Sequence, residues 1–214
     1  MAAPFLGRAL AWPYRATLAG LYRMRVKPWQ LTVAALLTTV VVGWLLVRGE
    51  RLVPGLLLMA AGLLDVFDGG LARLRGEESR RGAFLDSVFD RVSDAIVFSC
   101  LFWSLSGQGK WPQAGLSLVV LGVSLGVSQV RAEGEAVGVS MSAGVFQRLE
   151  RVVAMVIGLC VPYALLPVLA LLAVLGTVTL LQRIVGFVRG GGRLAEIPPP
   201  PPPPRMPFVG EGRG

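Results

Sequence analysis

The chain contains no histidine and only two cysteines, Cys100 and Cys160, among its 214 residues. The first absence removes imidazole as a general base, a nucleophile or a metal ligand. The two cysteines have no metal-ligand spacing, which excludes a thiolate zinc site and leaves them as small apolar packing residues. Any metal held by this chain is therefore held by oxygen. Charge is also scarce: Asp, Glu, Lys and Arg make up 16% of the residues, against roughly 25% in an ordinary soluble domain. What takes their place is apolar, at 54% of the residues, with a mean hydropathy of +0.64. That composition describes a membrane protein.

A membrane-spanning helix needs about 20 mostly apolar residues. Windows near 31–48, 52–72, 84–106, 113–131, 150–167 and 168–188 approach that requirement, so the expected fold is an all-α integral membrane protein with six transmembrane helices. Ahead of them, "FLGRALAWPYRATLAGLYRMRV" at 5–26 mixes Phe, Leu, Trp and Tyr with arginines, the pattern of an amphipathic helix lying in the membrane interface. No cleavable signal is expected, because Arg8, Trp12, Pro13, Arg15 and Arg23 interrupt any apolar run there. The organisation read from the sequence is an interfacial helix over 1–27, a six-helix domain over 28–190 and a tail over 191–214. Seven consecutive prolines at 198–204 make that tail extended polyproline II or disordered, with no catalytic part.

The net charge is +8, and its distribution sets an orientation. Arg8, Arg15, Arg23, Arg25 and Lys27 precede the first window, while Arg73, Arg75, Arg80 and Arg81 follow the second. The opposite side carries only Arg48, Arg51 and Lys110. By the positive-inside rule both termini and the "RLRGEESRR" connection face the cytoplasm of a multi-pass cell-membrane protein. These charges are dispersed among membrane loops rather than gathered on one soluble face, so nucleic acid is not an expected partner.

Against this apolar background, "LLDVFDGGLARLRGEESRRGAFLDSVFDRVSD" at 63–94 places five aspartates in and beside two spans. Asp65 and Asp68 stand three apart, and Asp86, Asp90 and Asp94 stand four apart, the spacings that stack side chains on one helical face. A charged side chain at the bilayer centre costs at least about 2.5–3.5 kcal/mol by insertion scales, so a cation must offset the stripe. Arg73 and Arg91 can neutralise only part of it. Hard divalent cations, Mg²⁺ or Mn²⁺, suit oxygen ligands and balance the rest. Four carboxylates from two helices can hold two such ions, an arrangement that clamps the attacking and leaving oxygens of phosphoryl transfer. The intervening residues fit that chemistry: Gly69 and Gly82 let a diphosphate approach the backbone, Ala72 keeps the next turn low, and Arg73 offers a planar fork of donors. With no imidazole available, the general base is also a carboxylate.

In full the stretch reads D65-x2-D68-G69-x2-A72-R73-x8-G82-x3-D86-x3-D90. It resembles, with every gap kept, the signature of the CDP-alcohol phosphatidyltransferase family. The resemblance implies a two-metal membrane enzyme, usually a homodimer, that displaces CMP from a CDP-linked lipid, CDP-diacylglycerol or CDP-archaeol, by an acceptor hydroxyl. It makes Asp65, Asp68 and Asp86 metal ligands, and Asp90 a ligand or the general base. It also puts Arg73 on the diphosphate and Gly69, Ala72 and Gly82 along the CDP site. "KPWQLT" looks like the family's pre-helix segment, which implies a nucleotide contact for Thr32. Asp94 lies outside the signature and is expected to pair with Arg91 or to extend the acidic face.

The acceptor must be read elsewhere. Arg131, Arg148, Arg151 and Arg183 fall near the cytoplasmic ends of the last three windows, where they can surround an anion. "RAEGEAVGVSMSAGVFQRLER" at 131–151 looks like a segment of the phosphatidylinositol phosphate synthase branch, which implies inositol phosphate as acceptor. Arg131, Arg151 and Arg183 then bind its phosphate, with Arg148 beside them. The alternative acceptor is glycerol 3-phosphate, as in phosphatidylglycerophosphate synthases. A remote alternative is a divalent-cation transporter that uses the same carboxylates as a translocation site.

Overall fold

The computed structural model describes residues 3–76, 79–136 and 148–189. The tail expected over 191–214 lies outside the described residues. All regular structure within them is helical: α1 (Ala3–Arg23), α2 (Pro28–Val47), α3 (Leu52–Arg75), α4 (Arg80–Gly107), α5 (Trp111–Ala136), α6 (Arg148–Cys160) and α7 (Leu165–Arg189). Four of these, α2, α3, α5 and α7, are long and apolar enough to cross a membrane. Helix α4 has the length, at 28 residues, but the stretch from its start to Asp94 carries Arg81, Asp86, Asp90, Arg91 and Asp94. Helix α6 runs for 13 residues.

The helices close into a ring. α2 packs on α3 and α4, α5 on α4 and α7, and α6 on α3 and α7, while α1 lies against α3 outside the ring. Val42, Leu46, Leu101, Leu105, Leu169 and Leu172 fill the core from three of the ring helices. Outward faces stay apolar and exposed, as at Leu37, Val119 and Val174, the pattern expected where the solvent is lipid. Tyr14 of α1 stacks on Phe67 of α3 with ring centroids 5.5 Å apart, which holds α1 beside the acidic end of α3.

Both cysteines pack against glycines. A Cβ on Gly43 of α2 would lie 3.0 Å from Cys100 Sγ of α4, and one on Gly55 of α3 would lie 2.5 Å from Cys160 Sγ of α6. Each thiol occupies the space a neighbouring side chain would need, as small-residue packing between membrane helices requires.

Two boundaries differ from the expected windows. The run 150–188 reads as continuous apolar sequence, with a break anticipated at 167–168, yet α6 ends at Cys160 and α7 begins at Leu165. Pro162 has no N–H to continue the ladder, and Tyr163 turns the chain with a φ of 64°. The "RLRGEESRR" connection is mostly helix: α3 continues to Arg75 and α4 starts at Arg80. Gly76 caps α3 in the left-handed region at φ 65°, and the Ser79 hydroxyl accepts a bond from Gly82 N at 3.0 Å to cap α4.

Candidate active site

Carboxylates from the second half of α3 and the first turns of α4 converge. Oxygens of Asp65, Asp68 and Asp86 there lie within 4.8 Å of one another. Asp68 is buried at 6% exposure, and its Oδ2 has no hydrogen-bond partner among the described residues. Thr32 of α2 stands beside that carboxylate, with its hydroxyl donating to Pro28 O at 3.2 Å. A buried carboxylate oxygen without a protein donor, in an all-oxygen cluster, fits Mg²⁺ or Mn²⁺. The three carboxylates could hold such a cation.

Asp90 lies one turn further along α4 and outside this trio. Its Oδ1 is 2.5 Å from Arg148 Nη1, and the same nitrogen donates to Asp65 Oδ2. Arg148, the first described residue of α6, thus bridges carboxylates from α3 and α4. One turn on, Arg151 Nη2 donates to Asp94 Oδ2 at 3.1 Å. The cations that offset the acidic stripe in the structure come from α6.

The expected pairing of Asp94 with Arg91 does not form. Arg91 instead donates to Ser87 Oγ at 2.7 Å and to Ser128 O of α5 at 3.2 Å. Side chains on a helix lean toward its N-terminus, so Arg91 reaches back a turn to Ser87 rather than forward to Asp94. The other signature positions surround the trio. The Arg73 guanidinium folds back over Gly69, where a Cβ would lie 3.6 Å from Arg73 Nη1. Gly82 sits in the capping turn of α4, and Ala72 is half-buried on α3.

A cavity of about 540 Å³ joins the acids to the arginines. Asp65, Asp86 and Asp90 line it together with Arg131, Arg151 and Arg183. Arg183 is anchored by donating from Nη1 to Val127 O at 3.0 Å, and Arg131 Nε pairs with Glu135 at 2.8 Å. The Nε donors of Arg148, Arg151 and Arg183 are buried and unpaired among the described residues. Such donors favour an anion within the cavity, next to carboxylates able to hold a divalent cation. The sequence pointed to all these residues but missed Arg148 as the partner of Asp65 and Asp90, because nothing local links position 148 to position 65.

A family model described as CDP-alcohol phosphatidyltransferase matches residues 25–185, which hold every one of these side chains. The chain belongs to the CDP-alcohol phosphatidyltransferase family. It is similar to the phosphatidylinositol phosphate synthase of Corynebacterium glutamicum, with 36% identity over 76% of this chain and 78% of that protein. It is also similar to the archaetidylinositol phosphate synthase of Methanothermobacter thermautotrophicus, at 33% identity over 64% of this chain and 70% of that one. Among solved structures, it resembles the Mycobacterium tuberculosis phosphatidylinositol phosphate synthase with CDP-DAG bound. That match has a TM-score of 0.72 and 30% identity, covering 80% of this chain and 92% of that one. The same enzyme in complex with manganese and citrate gives a TM-score of 0.72 at 29% identity, over 80% and 87% of the two chains. A CDP-alcohol phosphatidyltransferase is a membrane enzyme of phospholipid biosynthesis, and that membership displaces the cation-transporter alternative.

Proposed function

We propose that this chain transfers the phosphatidyl or archaetidyl group of CDP-diacylglycerol or CDP-archaeol to a hydroxyl of inositol phosphate. In that reaction the acceptor oxygen bonds to the lipid-side phosphorus, the bond from that phosphorus to the CMP phosphate breaks, and CMP leaves. The observation that carries the reading is the single cavity shared by the acids of α3 and α4 and the arginines of α5, α6 and α7.

Asp65, Asp68, Asp86 and Asp90 hold two Mg²⁺ or Mn²⁺ ions. When bound, these ions neutralise the diphosphate and stabilise charge on the leaving phosphate. Asp90 doubles as the base that takes the proton of the acceptor hydroxyl, since it faces the cavity and no imidazole exists to do so. Arg73, lying over Gly69, donates to the diphosphate, and Gly69, Ala72 and Gly82 keep the surface beneath it low. Thr32 contacts the nucleotide side. Arg131, Arg151 and Arg183, with Arg148, bind the acceptor's phosphate; facing a neutral alcohol, the buried Nε donors of Arg148, Arg151 and Arg183 would stay unpaired.

The same reading extends to the membrane. The six helices of the ring cross the bilayer and α1 lies in its interface, with both termini cytoplasmic and a second copy completing a homodimer. The domain limits are 1–27, 28–190 and 191–214. Support for the orientation comes from the ends of the helices: Arg25, Lys27, Arg73 and Arg75 cluster at the acidic end. Exposed Trp44, Trp103, Trp111 and Tyr163 mark the other, as an aromatic belt does. Asp65 lies ten residues before the end of α3 at Arg75, about 15 Å at the helical rise per residue. The site is therefore sunk below the cytoplasmic surface.

A CMP-release assay on the purified chain with Mn²⁺ and CDP-diacylglycerol tests the proposal. Inositol phosphate should support turnover, whereas inositol, serine and glycerol 3-phosphate should not. Preference for glycerol 3-phosphate would move the chain to another branch of the family, and turnover with free inositol alone would overturn the arginine argument.

A further inference from the structure

Arg148 holds the carboxylates that a divalent ion also needs. Its Nη1 sits between Asp65 Oδ2 and Asp90 Oδ1, on two separate helices, and it is the sole cation in an ion pair with either carboxylate among the described residues. A guanidinium paired with both acids and divalent ions held by them are like charges competing for the same carboxylates. Arg151 differs. Its partner Asp94 stands outside the Asp65, Asp68 and Asp86 trio, so that pair does not conflict with a metal. The two arginines differ in freedom as well: the Arg148 side chain is 26% exposed and that of Arg151 only 11%. Arg148 also lines the cavity that holds Arg131, Arg151 and Arg183, so a rotation about its own side chain carries its charge from the acids toward the anion-binding wall.

We propose that Arg148 is an exchangeable counter-ion, which neutralises Asp65 and Asp90 until divalent ions take them and then turns onto the phosphate of the acceptor. The inference rests on the proposed reading of the acids as metal ligands and the arginines as the acceptor's phosphate site. Its thermodynamic consequence is synergy. Metal releases Arg148 for the acceptor and the acceptor's phosphate draws Arg148 off the acids, so each ligand tightens binding of the other by the same factor. Arg148 then couples the two sites, and the lipid substrate is not needed for the coupling to show.

Mn²⁺ binding to the purified full chain, followed by the electron paramagnetic resonance of free Mn²⁺ without CDP-lipid, tests this. Arg148→Gln should bind Mn²⁺ at least about tenfold more tightly than wild type, because a competing positive charge is gone. Saturating inositol phosphate should tighten Mn²⁺ binding to wild type severalfold and leave Arg148→Gln unchanged. The wild-type measurement stands alone if the variant does not fold: an affinity for Mn²⁺ indifferent to inositol phosphate overturns the handover. Equal or weaker Mn²⁺ binding by folded Arg148→Gln overturns the exchange while the metal site survives. No Mn²⁺ binding by wild type at millimolar concentration removes the metal reading and the exchange with it.

Discussion

Asp94 and Arg151 form an ion pair of 3.1 Å across the ring, with side-chain exposures of 16% and 11%. Asp94 is the one member of the acidic stripe that the family signature does not include, and its partner Arg151 lines the cavity. Its task in this account is to hold the Arg151 guanidinium in place. Asp94→Asn, which keeps the shape and removes the charge, should raise KM for inositol phosphate about tenfold, the equivalent of about 1.4 kcal/mol. Changes in kcat and in KM for the CDP-lipid should be small. Breaking a buried pair also destabilises by about 3–5 kcal/mol, so the thermal midpoint should fall in the same variant. A lower midpoint with all kinetic constants unchanged would make Asp94 a purely structural residue.

Asp90 holds the last position of the family signature and lines the cavity. Asp90→Asn should lower CMP release by at least about 10²–10⁴-fold, the range for loss of a general base. The detergent-solubilised chain should keep its elution volume and helical content. Measured turnover close to wild type would put the base elsewhere, on a residue the family signature does not single out.

The positions of the acids and helices were legible in the sequence because both follow short-range rules. Spacings of three and four put Asp65 with Asp68, and Asp86 with Asp90, on single faces, and apolar windows located the ring helices to within a few residues. The break at Val161–Ala164 was hidden because hydropathy averages across Pro162. Partners distant in sequence were illegible in principle: Arg148 reaches Asp65 across 83 positions and Arg151 reaches Asp94 across 57. Even the local expectation for Arg91 failed, since the backward lean of helical side chains and the Ser128 carbonyl of α5 outweighed a spacing of three.

The glycine and cysteine contacts give a packing test independent of chemistry. Gly55→Ala would bring a methyl group to 2.5 Å from Cys160 Sγ, an overpacking expected to cost about 1–3 kcal/mol. Cys160→Ala in the same chain should recover much of that loss. A double-mutant cycle read by thermal unfolding in detergent should show a coupling of at least about 0.5 kcal/mol. Additive effects would mean that α3 and α6 do not meet as closely as this contact requires.

Arg73 provides a test of substrate selectivity. Because its guanidinium lies over Gly69 and it does not line the cavity of Arg131, Arg151 and Arg183, Arg73→Ala should on the proposed reading raise KM for the CDP-lipid about tenfold or more and lower kcat. KM for inositol phosphate should change little. Steady-state kinetics with each substrate varied in turn would check this, and an effect confined to the acceptor would overturn the assignment of Arg73 to the diphosphate.

The central claim is that carboxylates from α3 and α4 grip divalent cations at one end of the helical ring. Anomalous diffraction from crystals of this chain grown with Mn²⁺ tests it most directly. The account expects anomalous density in contact with Asp65, Asp68 and Asp86, with the Arg148 guanidinium withdrawn from Asp65. Manganese bound only elsewhere, or no anomalous density beside those three side chains, would contradict it.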